Sequence, residues 1–347
     1  MTRSPWLAVG LLLALAPQAF AQAPAPTPAA EAGDAHRSVR GVTISCQTWG
    51  GEWGSSEMPG ALDRTKSVGG NWVAIHPYAR ISRDGSLRYR TLDPKNPPAW
   101  IARPIAWAHE RGLKILIKPH LAYWGSGFSW RGEIRFEDAA ASARFHSDYR
   151  TWISALAKVS QGTDAFCVGT ELEGTTEAES EWRGHVKSVR QALPKVPLTY
   201  AANWDRYQKV SFWDAVDVIG VQAYFPLVAH ERVPSDAELQ AGWKRVLAGL
   251  RTYAQKLDRK VLFTELGYDC NPLAASQPWK GTRRGSAAGR ELQGRCLEVA
   301  LKAVEAEPSV VGLFLWKDFA GDARGEDFPV LRPELRPRIR KIWVPEK

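Results

Sequence analysis

The 347-residue chain is 44% hydrophobic and carries 46 Lys and Arg against 37 Asp and Glu, a formal net charge of +9. That apolar content excludes a wholly disordered chain. The basic residues are scattered, apart from RPELRPRIRKIW near the C-terminus, and no nucleic-acid motif accompanies them, so the charge reads as a solvated final helix and general surface charge, with no nucleic-acid partner.

In chain order, Arg3 precedes an apolar run from Trp6 to Ala16, and Ala19-Phe20-Ala21 supplies a small-x-small cleavage site. Residues 1–21 read as a signal peptide. The run is well short of the roughly 20 apolar residues of a membrane span, so the expectation is a secreted or periplasmic protein. Residues 22–37, rich in Ala and Pro, read as a disordered leader. Residues 38–347 then form one domain, because no internal linker or solenoid repeat interrupts them.

Within that domain short apolar runs recur: RGVTIS (40–45), NWVAIHP (71–77), LKILIKP (113–119), AFCVGT (165–170), VPLTYAA (196–202), VDVIGVQAY (216–224), KVLFTE (260–265) and VVGLFLW (310–316). Amphipathic stretches at 98–111, 138–160, 177–193, 235–257 and 285–307 predict helices, with Ser235 and Asp236 as one start. Eight β-runs interleaved with helices predict an α/β fold, a single-domain (β/α)8 TIM barrel. A doubly wound open sheet is the competitor, disfavoured because no Gly-rich phosphate turn follows the first strand.

Barrel active sites are built from residues just after each strand. Those positions hold Gln47 and Trp49, His76 and Tyr78, Lys118 and His120, Glu171, Asn203 and Trp204, Gln222 and Tyr224, Glu265, and Trp316. The tripeptide TEL occurs twice, with Glu171 directly after the fourth run and Glu265 ending the seventh. Two carboxyl groups at one barrel mouth are the minimum for glycosidic hydrolysis: an acid for the leaving oxygen and a carboxylate for the anomeric carbon. Glu173 lies two residues beyond Glu171, and strand alternation puts both on one face. The TEL context favours Glu171 and leaves the role of Glu173 open.

Aromatic faces stack on sugar rings, and amides and imidazoles bond hydroxyls. Trp49, Trp53 and Trp124 in Gly-rich post-strand segments are candidate sugar platforms. His120 and Lys118 are candidate hydroxyl ligands, with a satisfied loop histidine and a surface lysine as the alternative. Trp107, Trp152 and Trp243, at helical spacing, read as core. Among seven histidines there is no HxH, HExxH or HxxxH pair, so no metal or cofactor is expected. Without a GxSxG elbow a serine hydrolase is disfavoured. Of four cysteines, Cys46 and Cys167 read as buried thiols, and Cys270 and Cys296 flank a loop that a bridge could close.

The glutamates of the fourth and seventh strands, the latter in VLFTELGY, with VIGVQAYFPL on the sixth strand and GLFLWKDF on the eighth, resemble glycoside hydrolase clan A, and most closely family 113. The resemblance implies a retaining, endo-β-1,4-mannanase-like hydrolase of mannan or glucomannan, with Glu171 as general acid/base and Glu265 as nucleophile. It further implies that Tyr224 hydrogen-bonds the nucleophile and Trp316 floors the glycon subsite. Where many clan members have Asn before the acid/base, this chain has Thr170, which passes the sugar 2-hydroxyl contact to another residue such as Asn203. Trp204 joins the substrate-binding set, a polysaccharide or oligosaccharide is the partner, and a monomer is expected. The alternatives are a hydrolase of another β-linked polysaccharide and a non-catalytic carbohydrate-binding barrel.

Overall fold

The computed structural model describes residues 39–281, 285–321 and 328–345. The proposed signal peptide and leader lie outside them. Eight parallel strands close into a barrel: β1 Val39–Ser45, β2 Trp72–Ile75, β3 Lys114–Ile117, β4 Ala165–Thr170, β5 Leu198–Asn203, β6 Val218–Gln222, β7 Val261–Leu266 and β8 Val310–Phe319. Consecutive strands are neighbours throughout, and β1 closes the ring against β8 with Gly41 opposite Phe314. The expected strands are therefore present, in the expected order.

Helices α1 Met58–Ser67, α2 Ala99–Glu110, α3 Ala139–Val159, α4 Glu179–Ala192, α5 Asp236–Leu257, α6 Ala287–Glu305 and α7 Arg336–Trp343 surround the strands. The α5 start follows the sequence signal: Ser235 and Glu238 form a reciprocal capping box, satisfying backbone N–H groups that the first helical turn leaves unpaired. Helix α1 was not expected; half of its MPGALDRTKS sequence is polar, and it is anchored by buried Met58, Ala61 and Leu62. The final helix is not simply solvated, since Ile339 and Trp343 are buried. Between β5 and β6 the crossover uses only two 3-10 turns, Tyr207–Lys209 and Trp213–Ala215.

Strand residues alternate between the helix layer and the barrel lumen. Val42 and Ile44, Val73 and Ile75, and Ile115 and Ile117 belong to the main core, whereas Ala74, Leu116, Cys167, Ala201, Leu262 and Phe314 fill the lumen. Half of these inward residues are small, and two large rings complete the packing. Gly41 pairs with both Trp72 and Phe314, whose rings meet edge to face at 6.1 Å. A Cβ on Gly41 would fall 2.3 Å from Phe314 Cδ1, so only glycine leaves room for the plug. With the lumen filled below, polar side chains can gather only at the C-terminal mouth.

Several expectations are corrected here. Trp53 is fully buried and its indole N–H donates to the Ile44 carbonyl at 2.9 Å, so it is core; glycine-rich flanks left the chain free to fold the ring inward. No disulfide joins Cys270 to Cys296: the Cys270 sulfur accepts from Arg332 at 3.1 Å, and Cys296 is enclosed by apolar packing in α6. Cys167 is a buried thiol as expected, but Cys46 is only partly buried and donates to the Thr48 carbonyl. Trp152 and Trp243 are core, and Trp107 is half-buried against it.

Candidate active site

Inward alternation along β3 runs Lys114, Leu116, Lys118, and the last of these carries its ammonium to the centre of the mouth. Lys118 is 0% exposed. Its Nζ donates to Glu265 Oε1 and, at 3.3 Å, to the Thr264 carbonyl. Burial pulls its pKa down, and the Glu265 charge opposes that shift. A buried ion costs several kcal/mol of hydration unless paired, so this lysine, which the sequence left as a candidate surface residue, is held in place by its carboxylate.

The Tyr224 hydroxyl donates to the other oxygen of Glu265, Oε2, at 2.7 Å. Glu265 is thus gripped on both oxygens and is 4% exposed. Its strand departs from regular pairing here: β7 shifts register against β6 between Phe263 and Glu265 and against β8 between Phe263 and Leu266. Such a bulge re-aims a side chain that strict alternation would send elsewhere. Thr264 uses its hydroxyl on Gln222 Oε1 at 2.9 Å.

Glu171 reaches the same mouth by a different route. Its φ is +52°, a left-handed conformation that costs a non-glycine residue roughly 1–2 kcal/mol. Hydrogen bonds on either side hold the turn: Glu171 N–H donates to the Ala201 carbonyl at 2.9 Å, and Leu172 N–H donates to the Tyr200 hydroxyl at 2.9 Å. Arg131, from the 3-10 turn Arg131–Glu133 after β3, donates to Glu171 Oε2 at 2.6 Å. Burial raises the Glu171 pKa, with Glu265 adding to the rise and Arg131 and Lys118 opposing it.

The same turn separates the two glutamates that alternation had put together. Glu173 opens the 3-10 turn Glu173–Thr175 and accepts from Asn203 N–H at 3.2 Å. Its other oxygen is buried without a hydrogen-bond partner among the described residues. Burial, reinforced by Glu171, pushes its pKa up to about 7. It faces an adjoining cavity of about 700 Å³ that also includes Trp130 and Arg206.

One cavity of about 600 Å³ is lined by Glu171 and Glu265 together with Asn203, Trp204, Tyr224 and Trp316, all anticipated, and by Trp130, Asp205, Arg206, Trp279 and Phe328, which were not. His120 lies beneath it, 1% exposed, stacked on Trp316 at 5.9 Å and on His76 at 4.9 Å. Its Nε2 is 3.7 Å from Glu265 Oε1. Neither ring nitrogen has a hydrogen-bond partner among the described residues. Burial and the nearby cations hold its pKa well below the ordinary imidazole value, so it is neutral, with one donor and one acceptor. Trp49 and Trp124 do not line this cavity. They are 39% and 53% exposed and flank Tyr78 in a neighbouring pocket of about 310 Å³ that includes Lys317 and Phe319. Thr170, 1% exposed, is turned into the packing beside Cys167.

Arg131 and Trp279 escaped the sequence reading because each lies inside a long loop, beyond the strand ends that guided it. The only available signal for Arg131 was the post-strand SWRGE segment. Among the described residues no group of three or more His, Cys, Asp and Glu could hold a metal ion, and no helix is long and apolar enough to cross a membrane.

A parallel eight-stranded barrel with two strand-end carboxyl groups in one aromatic cavity is the architecture of the barrel glycoside hydrolases. The profile of glycoside hydrolase family 113 matches residues 42–323, and the chain belongs to that family. It is a glycoside hydrolase of mannanase-like fold. The β-mannanase AaManA from Alicyclobacillus acidocaldarius, solved in complex with ManMIm, is 26% identical with a TM-score of 0.75, covering 88% of this chain and 97% of that one. A family 113 β-1,4-mannanase solved as a complex is 20% identical, with a TM-score of 0.76 over 89% of this chain and 99% of its own. The barrel is also shared with the β-D-glucuronidase of Dictyoglomus thermophilum, at 15% identity and a TM-score of 0.59, over 89% of this chain and 51% of that one. Curated protein sequences yield no match.

Proposed function

We propose that the protein is a retaining hydrolase of β-1,4-mannan or glucomannan in which Glu265 is the nucleophile and Glu171 the general acid/base. The observation that carries this reading is the shared cavity: both carboxyl groups line it together with Tyr224 and the indole of Trp316. The mannan assignment rests on the family and on the β-mannanases it resembles.

Glu265 attacks the anomeric carbon of a sugar seated over Trp316. Lys118 and Tyr224 restrict its rotation, so the oxygen lone pair is aimed before substrate arrives. Glu171, whose pKa is raised mainly by burial, gives its proton to the leaving oxygen as that bond breaks. Once Glu265 is esterified its negative charge is gone, and that contribution to the Glu171 pKa disappears. Arg131 then favours the Glu171 carboxylate, which takes a proton from water as the water displaces Glu265. His120, neutral and with neither ring nitrogen hydrogen-bonded among the described residues, suits a sugar hydroxyl, and Asn203 supplies an amide where Thr170 cannot.

A panel of soluble β-glycans, scored for new reducing ends without added metal, tests the substrate. Cleavage confined to β-glucans, galactans or xylans overturns the mannan assignment. NMR of the first product anomer tests the mechanism, and an α-anomer formed from a β-linked substrate excludes retention. We also propose export: the apolar run and the Ala19-Phe20-Ala21 site support cleavage before Gln22, and the N-terminal sequence of protein recovered outside the cytoplasm checks it.

A further inference from the structure

Aromatic residues form two groups at the barrel mouth, one lining the cavity of Glu171 and Glu265 and one in the neighbouring pocket, and the chemistry of the glutamate pair distinguishes them. The glycon ring must lie against Glu265, where Trp316, Lys118 and His120 converge: Lys118 Nζ is 4.9 Å from the centre of the Trp316 ring. The leaving oxygen must lie within reach of Glu171 at the end of β4, so the leaving sugar continues past Glu171, away from Trp316. Of the strands beside β4, it is β5 whose end, Asn203 and Trp204, lines the same cavity as Glu171. Trp204 stacks on Trp279 at 5.5 Å with the ring planes 17° apart. The other group, Trp49, Tyr78 and Trp124, follows β1 to β3 and shares its pocket with Lys317 and Phe319 on β8, and so lies past the glycon.

Trp279 is 48% exposed, and its loop is firmly built. The buried Asn271 donates to Asp269 Oδ2 and to the Lys280 carbonyl, both at 3.0 Å. The loop carbonyl of Ala275 accepts from Leu227 N–H at 2.8 Å. An indole left open to water on a loop tied at both ends forgoes burial of its apolar face, which a stacked ligand would restore.

We infer that Trp279, stacked on Trp204, is the platform for the leaving-group side of the substrate, so that the polysaccharide runs with its reducing end over this pair and its non-reducing end toward Trp49 and Trp124. This rests on the double-displacement reading of Glu171 and Glu265. A sugar on the platform is engaged during polymer cleavage and again when an oligosaccharide replaces water as acceptor. It is not engaged when an aryl group leaves.

The test compares wild type, Trp279→Ala and Trp279→Phe on the β-glycan that wild type cuts and on an aryl β-glycoside of the same sugar. For Trp279→Ala, kcat/KM on the polymer should fall about tenfold more than on the aryl glycoside. The ratio of transfer to hydrolysis with an oligosaccharide acceptor should fall too, and Trp279→Phe should restore most of both. Both measurements are ratios and do not depend on the fraction of enzyme that folds. Equal losses on the two substrates, or unchanged ratios, overturn the platform. Wild type that leaves every β-mannan intact overturns the mannan assignment while the platform test proceeds on the glycan that is cut. An inverted product overturns the underlying mechanism.

Discussion

The two TEL tripeptides occupy equivalent places at strand ends and are built for different work. Glu265 stays within its strand, re-aimed by a bulge and gripped on both oxygens by Lys118 and Tyr224. Glu171 leaves its strand through a left-handed turn, and its named side-chain partner is a single cation, Arg131. A nucleophile benefits from a fixed carboxylate orientation, whereas an acid/base must exchange a proton twice and needs an environment that can tip either way. Identical local sequence is thus differentiated by what β3, β6 and the β3–α3 loop bring to it.

The sharpest way to break this comparison is to remove the fixed carboxylate. Glu265→Ala should lower kcat by at least about 10⁴-fold on every substrate, and added azide should yield an inverted glycosyl azide if any. Mass mapping after a 2-fluoro glycosyl inactivator should place one sugar in the 260–270 peptide of the unmutated protein. A label on another peptide removes Glu265 from the role.

Glu171→Ala should cost about 10²- to 10⁴-fold on polysaccharide, where the leaving oxygen needs a proton. An aryl glycoside with an acidic phenol should still form the intermediate, and azide should trap it with retained configuration. If Glu173→Ala behaves this way and Glu171→Ala does not, the two glutamates have been assigned the wrong way round.

Tyr224→Phe removes one of the two grips on Glu265. It should lower kcat about 10- to 100-fold, the scale of one hydrogen bond to a charged group, with little change in KM. A loss carried by KM alone would mean that the hydroxyl holds sugar rather than the carboxylate.

Arg131→Met probes the other half of the comparison through pH. Arg131 opposes the rise in the Glu171 pKa, so its removal should let that pKa climb further. The alkaline limb of the kcat/KM profile, where the acid loses its proton, should move to higher pH. The deglycosylation step, which needs the carboxylate, should slow at low pH. A limb that stays in place would separate Arg131 from proton transfer.

Glu173→Gln should have the smallest effect, a change in kcat/KM of about threefold or less, as for a replacement that keeps a hydrogen-bonding side chain of similar size. With its pKa near 7, Glu173 is partly protonated at neutral pH, and the backbone N–H of Asn203 still meets an amide oxygen in the variant. A loss approaching that of Glu171→Ala would require a direct role in the chemistry.

The barrel was legible because its signals are local. Apolar runs such as LKILIK and VVGLFLW announce strands, the intervening periodicity announces helices, and parallel neighbours require crossovers. Strand ends then nominated Glu171, Glu265, Asn203, Trp204, Tyr224 and Trp316, and the fold gathered all six around one cavity. What local pattern could not specify is where a strand breaks step. Period-two alternation joined Glu173 to Glu171; the φ of +52° at Glu171 separated them, a decision made by the Ala201 carbonyl and the Tyr200 hydroxyl on the adjacent strand. Nor could it distinguish buried Trp53 from exposed Trp49 and Trp124, because all three sit among glycines and only the fold brings Trp53 against β1, where its indole meets the Ile44 carbonyl. Lys118 shows the limit most clearly: as sequence it is one of many lysines, and only closure of the barrel, which sets β3 across from β7, turns it into the buried partner of Glu265.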